Sequence, residues 1–188
     1  MTVSLKHKAL AFTALLTLNP AYATDKTPPP DTARYQDDKL VMVTRTRTPE
    51  QLAAFYAARG FNPASIAAVT KPCFVFGMVE NLGEERLWLI LDDWRFIDAD
   101  GKPIERIKRA EWKQTWQTTG LPQAKQATFG WTQLPESRDL HRYEHVGGQL
   151  AIPWQHRPFT LQASFRTAPD QSGPLRKVTF EKLTCKLQ

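Results

Sequence analysis

Apolar and polar residues alternate along most of the chain after residue 72, whereas the apolar spacing between residues 48 and 70 is helical. Alternation with a period of two is typical of strands that bury one face, and a period near 3.6 is typical of amphipathic helices. We therefore predict helices at 49–59, 64–69 and 106–118. The predicted strands are 39–47, 73–80, 86–91, 94–97, 127–134, 148–152, 159–165 and 176–184.

Two helix starts carry strong local signals. Thr48 precedes a proline and has Gln51 three residues on, which is the capping-box pattern. Asn62 is likewise followed by a proline, and Gly60 is suited to end the first helix in a left-handed conformation. These signals predict an N-terminal helical hairpin. The strands 73–80 and 86–91 flank an Asn-Leu-Gly turn and are predicted to pair with each other.

Seven or eight short strands separated by turn residues favour a two-sheet arrangement. Residues 74–104 run from an apolar strand through an Asn-led turn to a second strand and an acidic, glycine-containing turn. Residues 144–165 contain a Gly-led strand, a proline and an alternating strand. Both segments resemble small bacterial extracellular immunoglobulin-like domains. The resemblance implies a mainly β, immunoglobulin-like two-sheet antiparallel sandwich with an N-terminal helical hairpin and one inserted helix; it transfers no site residue.

The first residues have the pattern of a cleavable export signal. Lys6 and Lys8 precede the apolar run 9–18, Pro20 breaks the run, and Ala-Tyr-Ala follows at 21–23. A basic start, a short apolar run and a small-residue cleavage site are the three parts of a secretory signal peptide. The run is too short for a permanent membrane helix, which needs about 20 apolar residues.

We accordingly divide the chain into a signal peptide at 1–23, a flexible polar segment at 24–38 and one domain at 39–188. The segment 24–38 is rich in proline and lacks a hydrophobic period, which is typical of disordered chain. The predicted location is the periplasm, with secretion into the medium as the alternative.

The charge of the chain argues against nucleic acid as a partner. The formal net charge is +6, and loss of the two leader lysines lowers it to +4. The remaining basic residues are interspersed with acidic ones, whereas nucleic-acid binding favours a basic cluster. No later segment is apolar and long enough to be transmembrane.

The two cysteines, Cys73 and Cys185, are predicted to form a disulfide, because an isolated pair in an oxidising compartment is most simply structural. The alternative is a pair of free or redox-active thiols, but the C-x-x-C spacing is missing. The bond would stabilise the fold by roughly 4–5 kcal/mol in the chain-entropy account of a loop of this size.

The predicted helix at 106–118 carries the candidate binding surface. Arg109, Trp112, Lys113 and Trp116 occur at helical spacing, and the chain has six tryptophans in all. Exposed together, these residues would suit a glycan, an anionic envelope polymer or a protein partner, because tryptophan and arginine concentrate interface energy. Buried, the two tryptophans would instead pack the helix onto the domain, which the i, i+4 spacing favours.

Metal and catalytic patterns are weak. His141 and His145 have a spacing that chelates an ion on a helix, but their segment is predicted to be a loop and lacks the H-E-x-x-H arrangement. Asp98 and Asp100 before a glycine form an acidic turn without the rest of a calcium loop. The serines are not in hydrolase motifs. We predict neither a metal nor a cofactor.

The sequence therefore predicts an exported, non-catalytic binding or accessory protein of the cell envelope, with an envelope protein or a glycan as partner. A small secreted enzyme of hydrolase type and a periplasmic metal-binding protein are the alternatives. An inhibitor or immunity protein would share the same pattern.

Overall fold

The computed structural model describes residues 32–186, so the predicted signal peptide at 1–23 and most of the segment 24–38 lie outside the described residues. The described part is mainly β, with two antiparallel sheets and four α-helices. The helices are α1 (Pro49–Ala57), α2 (Pro63–Val69), α3 (Arg109–Thr119) and α4 (Gln123–Thr132). The strands are β1 (Ala33–Gln36), β2 (Leu40–Arg47), β3 (Cys73–Asn81), β4 (Leu87–Ile90), β5 (Arg95–Ile97), β6 (Pro103–Ile104), β7 (Ser137–Leu140), β8 (His145–Ile152), β9 (Phe159–Thr167) and β10 (Arg176–Leu183).

The first sheet has the order β1-β2-β3-β8. In the second sheet β9 is central: β10 pairs with one edge of it, and β4 and β5 pair in succession with the other edge. A short 3₁₀ helix, Leu91–Asp93, separates β4 from β5. β7 and β6 extend the sheet beyond β4 and β5, respectively.

The main core lies between the two sheets, because alternate residues of each strand face inward. It is closed at one end by the predicted disulfide, since Cys73 and Cys185 are bonded with their Cα atoms 5.5 Å apart. Its buried members include Leu40, Met42, Val75, Val79, Leu89, Phe96, Leu161, Ala163, Phe165 and Val178.

A second core lies on the other face of the first sheet, where the helices pack. Phe74 and Ala151 face outward from β3 and β8 and are buried beneath the helices. Helical side chains complete this core with Leu52, Tyr56, Val69, Trp112, Trp116 and Phe129. The first sheet is therefore covered on both faces at this end.

The predicted starts of the first two helices are confirmed. The Thr48 hydroxyl accepts a hydrogen bond from Gln51 N–H at 3.2 Å, and the Gln51 side chain accepts one from Thr48 N–H at 3.3 Å. Asn62 Oδ1 caps α2 through Ser65 N–H at 2.8 Å. Gly60 has φ +73°, as the left-handed prediction requires. The hairpin arrangement of the two helices and the immunoglobulin-like arrangement of the sheets stay predictions.

The predicted flexible segment is wrong in its last part, because Ala33–Gln36 forms β1 and pairs with Val41–Thr44 of β2. Ala33 and Tyr35 pack against the main core. The free edge of β2 supplies backbone partners to this segment, and a local sequence pattern does not reveal such an edge.

The predicted strand at 127–134 is also wrong, since α4 occupies Gln123–Thr132. The alternation of Ala127, Phe129 and Trp131 resembles a strand, but Phe129 alone of the three is buried. Its ring lies 4.8 Å from the rings of both tryptophans of α3, and this packing favours the helix. The domain thus has two inserted helices where one was predicted.

The predicted pairing of strands 73–80 and 86–91 is wrong as well. β3 pairs with β2 and β8 in the first sheet, and β4 pairs with β7 and β9 in the second. The turn between them crosses from one sheet to the other and is fixed by the buried Asn81, whose Nδ2 donates to Glu85 O at 2.8 Å and Leu140 O at 2.9 Å. Crossing allows both strands to bury their apolar faces in the same core.

Candidate functional site

The candidate surface predicted on α3 does not have exposed aromatic anchors. Trp112 is 5% exposed and Trp116 is 3% exposed, and their rings stack with centroids 5.1 Å apart. Arg109 and Lys113 are exposed beside them, and Arg109 Nε lies 3.9 Å from Glu136 Oε1. The tryptophans therefore pack the helix, and of the four predicted residues only Arg109 and Lys113 are exposed.

The weak metal candidates are exposed near a tight turn. His141 follows β7, with Nε2 3.8 Å from Asp139 Oδ2, and His145 begins β8 opposite Glu80. Tyr143 between them has φ +63°, so the segment is a turn and the helical chelating geometry does not arise. Within residues 32–186, no group of three or more His, Cys, Asp or Glu side chains is placed to hold a metal ion.

The acidic turn after β5 is organised by its own backbone. Asp98 Oδ1 accepts hydrogen bonds from the N–H groups of Asp100 and Lys102, both at 2.8 Å. Gly101 has φ +80°, and Asp100 pairs with Arg157. These bonds lower the pKa of Asp98, chiefly through Lys102 N–H. The carboxylates are thus used within the turn and by a neighbouring arginine.

A broad groove of about 710 Å³ lies on the outer face of the second sheet. The alternation of β9 produces its floor: apolar residues such as Leu161 and Phe165 face the core, while Gln162, Ser164 and Arg166 face outward. Lateral neighbours come from β5 and β10. The groove is lined by Asp93, Arg95, Gln162, Ser164, Arg166, Gln171, Gly173, Leu175, Lys177 and Thr179.

Strand register aligns the lining residues in rows across the sheet. Gln162 pairs with Arg95 of β5 on one side and with Thr179 of β10 on the other. Ser164 pairs with Lys177 in the neighbouring row. Adjacent strands lie about 4.8 Å apart, so each row presents its side chains as close neighbours on one face. The floor therefore combines cationic groups with hydroxyl and amide groups.

The loop between β9 and β10 forms one wall of the groove. It folds back onto the end of β9, where Gly173 N–H donates to Thr167 O at 3.1 Å and the Thr167 hydroxyl donates to Pro174 O at 2.9 Å. Ala168 and Gln171 both have positive φ, at 68° and 66°. The indole N–H of Trp88 donates to Ala168 O at 2.9 Å. These bonds hold the wall in one position.

The groove carries excess positive charge. Arg166 donates Nε to Asp93 Oδ2 at 2.7 Å and Nη2 to Asp93 Oδ1 at 3.0 Å, and this pairing raises the pKa of Arg166. Arg95 and Lys177 have no ion pair or hydrogen bond from their side chains to the described residues 32–186. The site is thus suited to an anionic ligand that also forms hydrogen bonds.

The sequence alone did not identify this groove. The outward residues of 159–165 follow the alternation that predicts the strand, but they are ordinary solvent-face residue types. They line a groove only together with Arg95 and Lys177. These two residues are distant in sequence and reach the same face only through the pairing of β5 and β10 with β9. An alternating strand with several polar residues outward was the one local signal.

Comparison with protein-family models found no match, and comparison with curated proteins found none either. Among solved structures, the chain is similar to the YjhA protein from Bacillus subtilis, with 9% sequence identity and a TM-score of 0.41. The likeness covers 70% of this chain and 76% of that chain. A likeness at this level assigns no function. No helix of residues 32–186 combines the length and apolar character needed to span a membrane.

Proposed function

We propose that this chain is an exported, non-catalytic binding protein of the cell envelope, which binds an acidic polysaccharide in the groove of its second sheet. The observation that carries the proposal is the placement of Arg95 and Lys177, both without a carboxylate partner in residues 32–186, over a floor of hydroxyl and amide groups. Cations bind the acid groups of such a polymer, and the neutral polar groups bind its hydroxyls.

The shape of the groove supports a polymer as the ligand. It is open to solvent along the sheet and is polar over most of its lining, whereas sites for small apolar molecules are enclosed and largely apolar. Leu175 in the wall is exposed and supplies one apolar contact. An extended chain that runs along β9 would cross every row of the floor.

Two further features favour the proposed setting. The Cys73–Cys185 disulfide suits the oxidising periplasm, to which the signal at 1–23 would direct the chain. The strand order, with β10, β9 and β4 in one sheet and β2, β3 and β8 in the other, supports an immunoglobulin-like sandwich, a common scaffold of binding domains outside the cell.

The test is titration calorimetry of the disulfide-bonded protein with oligogalacturonate, using neutral galactose oligomers of equal length as the control. We expect saturable binding of the acidic oligomer, weakened by added salt, and no binding of the neutral one. Arg95→Ala and Lys177→Ala should each weaken binding about ten- to a hundredfold, the effect of losing a hydrogen bond to a charged group.

Lys113→Ala is the matched control, because Lys113 is an exposed lysine on α3, outside the groove. The affinity of Lys113→Ala for oligogalacturonate should equal that of the wild type. If Lys113→Ala weakens binding and Lys177→Ala does not, the α3 surface rather than the groove binds the ligand. Equal binding of the acidic and neutral oligomers would contradict the assigned role of the cations.

A further inference from the structure

Two arginines share one phenyl ring on the outer face of the first sheet. β2 places Arg45 and Arg47 two residues apart on the same face, and their Cζ atoms lie 5.4 and 5.6 Å from the ring centroid of Phe76. Arg45 pairs with Phe76 across the strands, and Arg47 pairs with the buried Phe74. Each guanidinium group thus lies within the range of cation–π attraction to the same ring.

Neither guanidinium group has a counter-ion in the described part of the chain. Both side chains are partly buried, and no hydrogen bond or ion pair joins them to residues 32–186. Arg45 Nε is buried without any hydrogen-bond partner. Burial lowers the pKa of Arg47, and the charge of Arg45 lowers it further. Since a partly desolvated cation ordinarily has an acidic partner, this pair is an uncompensated positive site.

The same row of the sheet contains a buried amide oxygen without a partner. Gln149 of β8 pairs with Phe76, so the row runs from Arg45 through Phe76 to Gln149 on one face. Gln149 is 6% exposed, and its Oε1 is buried without a hydrogen bond. Two strand spacings place its Cα about 10 Å from that of Arg45. A neutral hydrogen-bonding group thus stands one strand beyond the ring that holds the cations.

We propose that Arg45, Arg47 and Gln149 form a second binding site, specific for a small acid that carries a hydroxyl group. The phosphate or carboxylate of the ligand accepts hydrogen bonds from the two guanidinium groups, whose planar N–H pairs match the oxygens of either acid. Gln149 Oε1 is covered by protein in this structure, so its side chain must rotate before the hydroxyl group of the ligand can donate to it. Sugar acids and sugar phosphates have this chemistry. The site lies on the opposite sheet from the groove and does not depend on it.

The test is NMR titration of the full chain, observing the Nε–Hε signals of its arginines. The probes are glucuronate, glucose 6-phosphate, acetate and glucose. We expect saturable shifts of the Arg45 and Arg47 signals with glucuronate or glucose 6-phosphate, and the tighter of the two identifies the acid group. Acetate, which lacks the hydroxyl, should bind at least tenfold more weakly, and glucose should cause no shift.

The proposal is overturned if neither the Arg45 nor the Arg47 signal shifts saturably with any probe. Equal shifts with glucose and glucuronate would also overturn it. The Arg95 signal reports the groove separately, so failure at one site is distinguishable from failure at the other. Shifts that spread evenly over all exposed arginines would show general ion association and would also overturn it.

Variants separate the role of each group. Arg45→Lys and Arg47→Lys keep the positive charge but lose the planar N–H pair, so each should weaken binding at least tenfold without unfolding the domain. Gln149→Leu should abolish the preference for hydroxylated acids over acetate. Arg34→Ala is the matched control, because Arg34 lies on neighbouring β1 and already binds Gln36 Oε1 at 2.7 Å. Loss of binding in this control would contradict the site.

Discussion

Phe129 and Trp131 lie two residues apart on α4 and have opposite surroundings. The Phe129 ring is buried against both tryptophans of α3, and Trp131 is 90% exposed. Successive helical residues are rotated by about 100°, so residues two apart point to nearly opposite sides. The exposed tryptophan is thus a consequence of the helix that Phe129 anchors.

We expect Phe129→Ala to lower the free energy of unfolding by about 3–5 kcal/mol, because it leaves a cavity in the second core. Trp131→Ala is the control on the same helix and should change it by no more than about 0.5 kcal/mol. Urea unfolding followed by circular dichroism measures both. A comparable loss in the two variants would show that Trp131 has a buried partner.

Asp93→Asn should strengthen binding of oligogalacturonate. The substitution removes the negative charge of the groove and frees Arg166 from its ion pair. From the usual energy of such a pair, we expect the affinity to rise by a factor of about two to five. Asp92→Asn is the control, because Asp92 binds Arg106 outside the groove. Calorimetry that shows weaker binding in Asp93→Asn would mean that Asp93 itself contacts the ligand.

Gly173→Ala should displace the wall of the groove. A Cβ atom at Gly173 would overlap Thr167 Oγ1 and lie 3.0 Å from Thr167 C. We expect a loss of about 1–3 kcal/mol in unfolding free energy, typical of overpacking, together with weaker oligogalacturonate binding. In contrast, Gly130→Ala in α4 meets no atom within 4 Å and should stabilise the domain by about 0.5–1 kcal/mol. Unchanged binding by Gly173→Ala would contradict the role of the wall.

Tyr56 should make the domain sensitive to alkali. Burial raises the pKa of Tyr56 to about 12, against hydrogen bonds with Thr132 and Gln133 that lower it. The pKa of Tyr56 in the folded state thus exceeds its value near 10 in the unfolded state. The resulting contribution to the free energy of unfolding is complete below about pH 10 and is lost as the pH rises towards 12. The loss has an upper limit of about 1.4 kcal/mol per pH unit.

Urea unfolding between pH 9 and pH 11.5 tests this expectation. The Tyr56→Phe side chain cannot ionise, so the free energy of unfolding of this variant should fall less steeply over this range than that of the wild type. At pH 9 it should be about 1 kcal/mol lower, because the hydrogen bond to Thr132 is lost. Equal slopes in Tyr56→Phe and the wild type would refute the assignment.

Local sequence determined the features whose cause lies within a few residues. Thr48 and Asn62 cap their helices through groups three positions away, and the alternation of β9 assigns one set of side chains to the core and the other to solvent. The pairing of Cys73 with Cys185 also followed from sequence, because two cysteines leave one intramolecular pairing.

Tertiary structure alone decided the features that depend on distant partners. Residues 123–132 form a helix because the Phe129 ring packs against two tryptophans of α3. β1 forms because β2 has a free edge with which it pairs. The groove depends on register, which places Arg95 and Lys177 beside polar residues of β9. A sequence specifies each side chain, but the neighbours of an exposed cation such as Arg95 are brought together only when the strands pair.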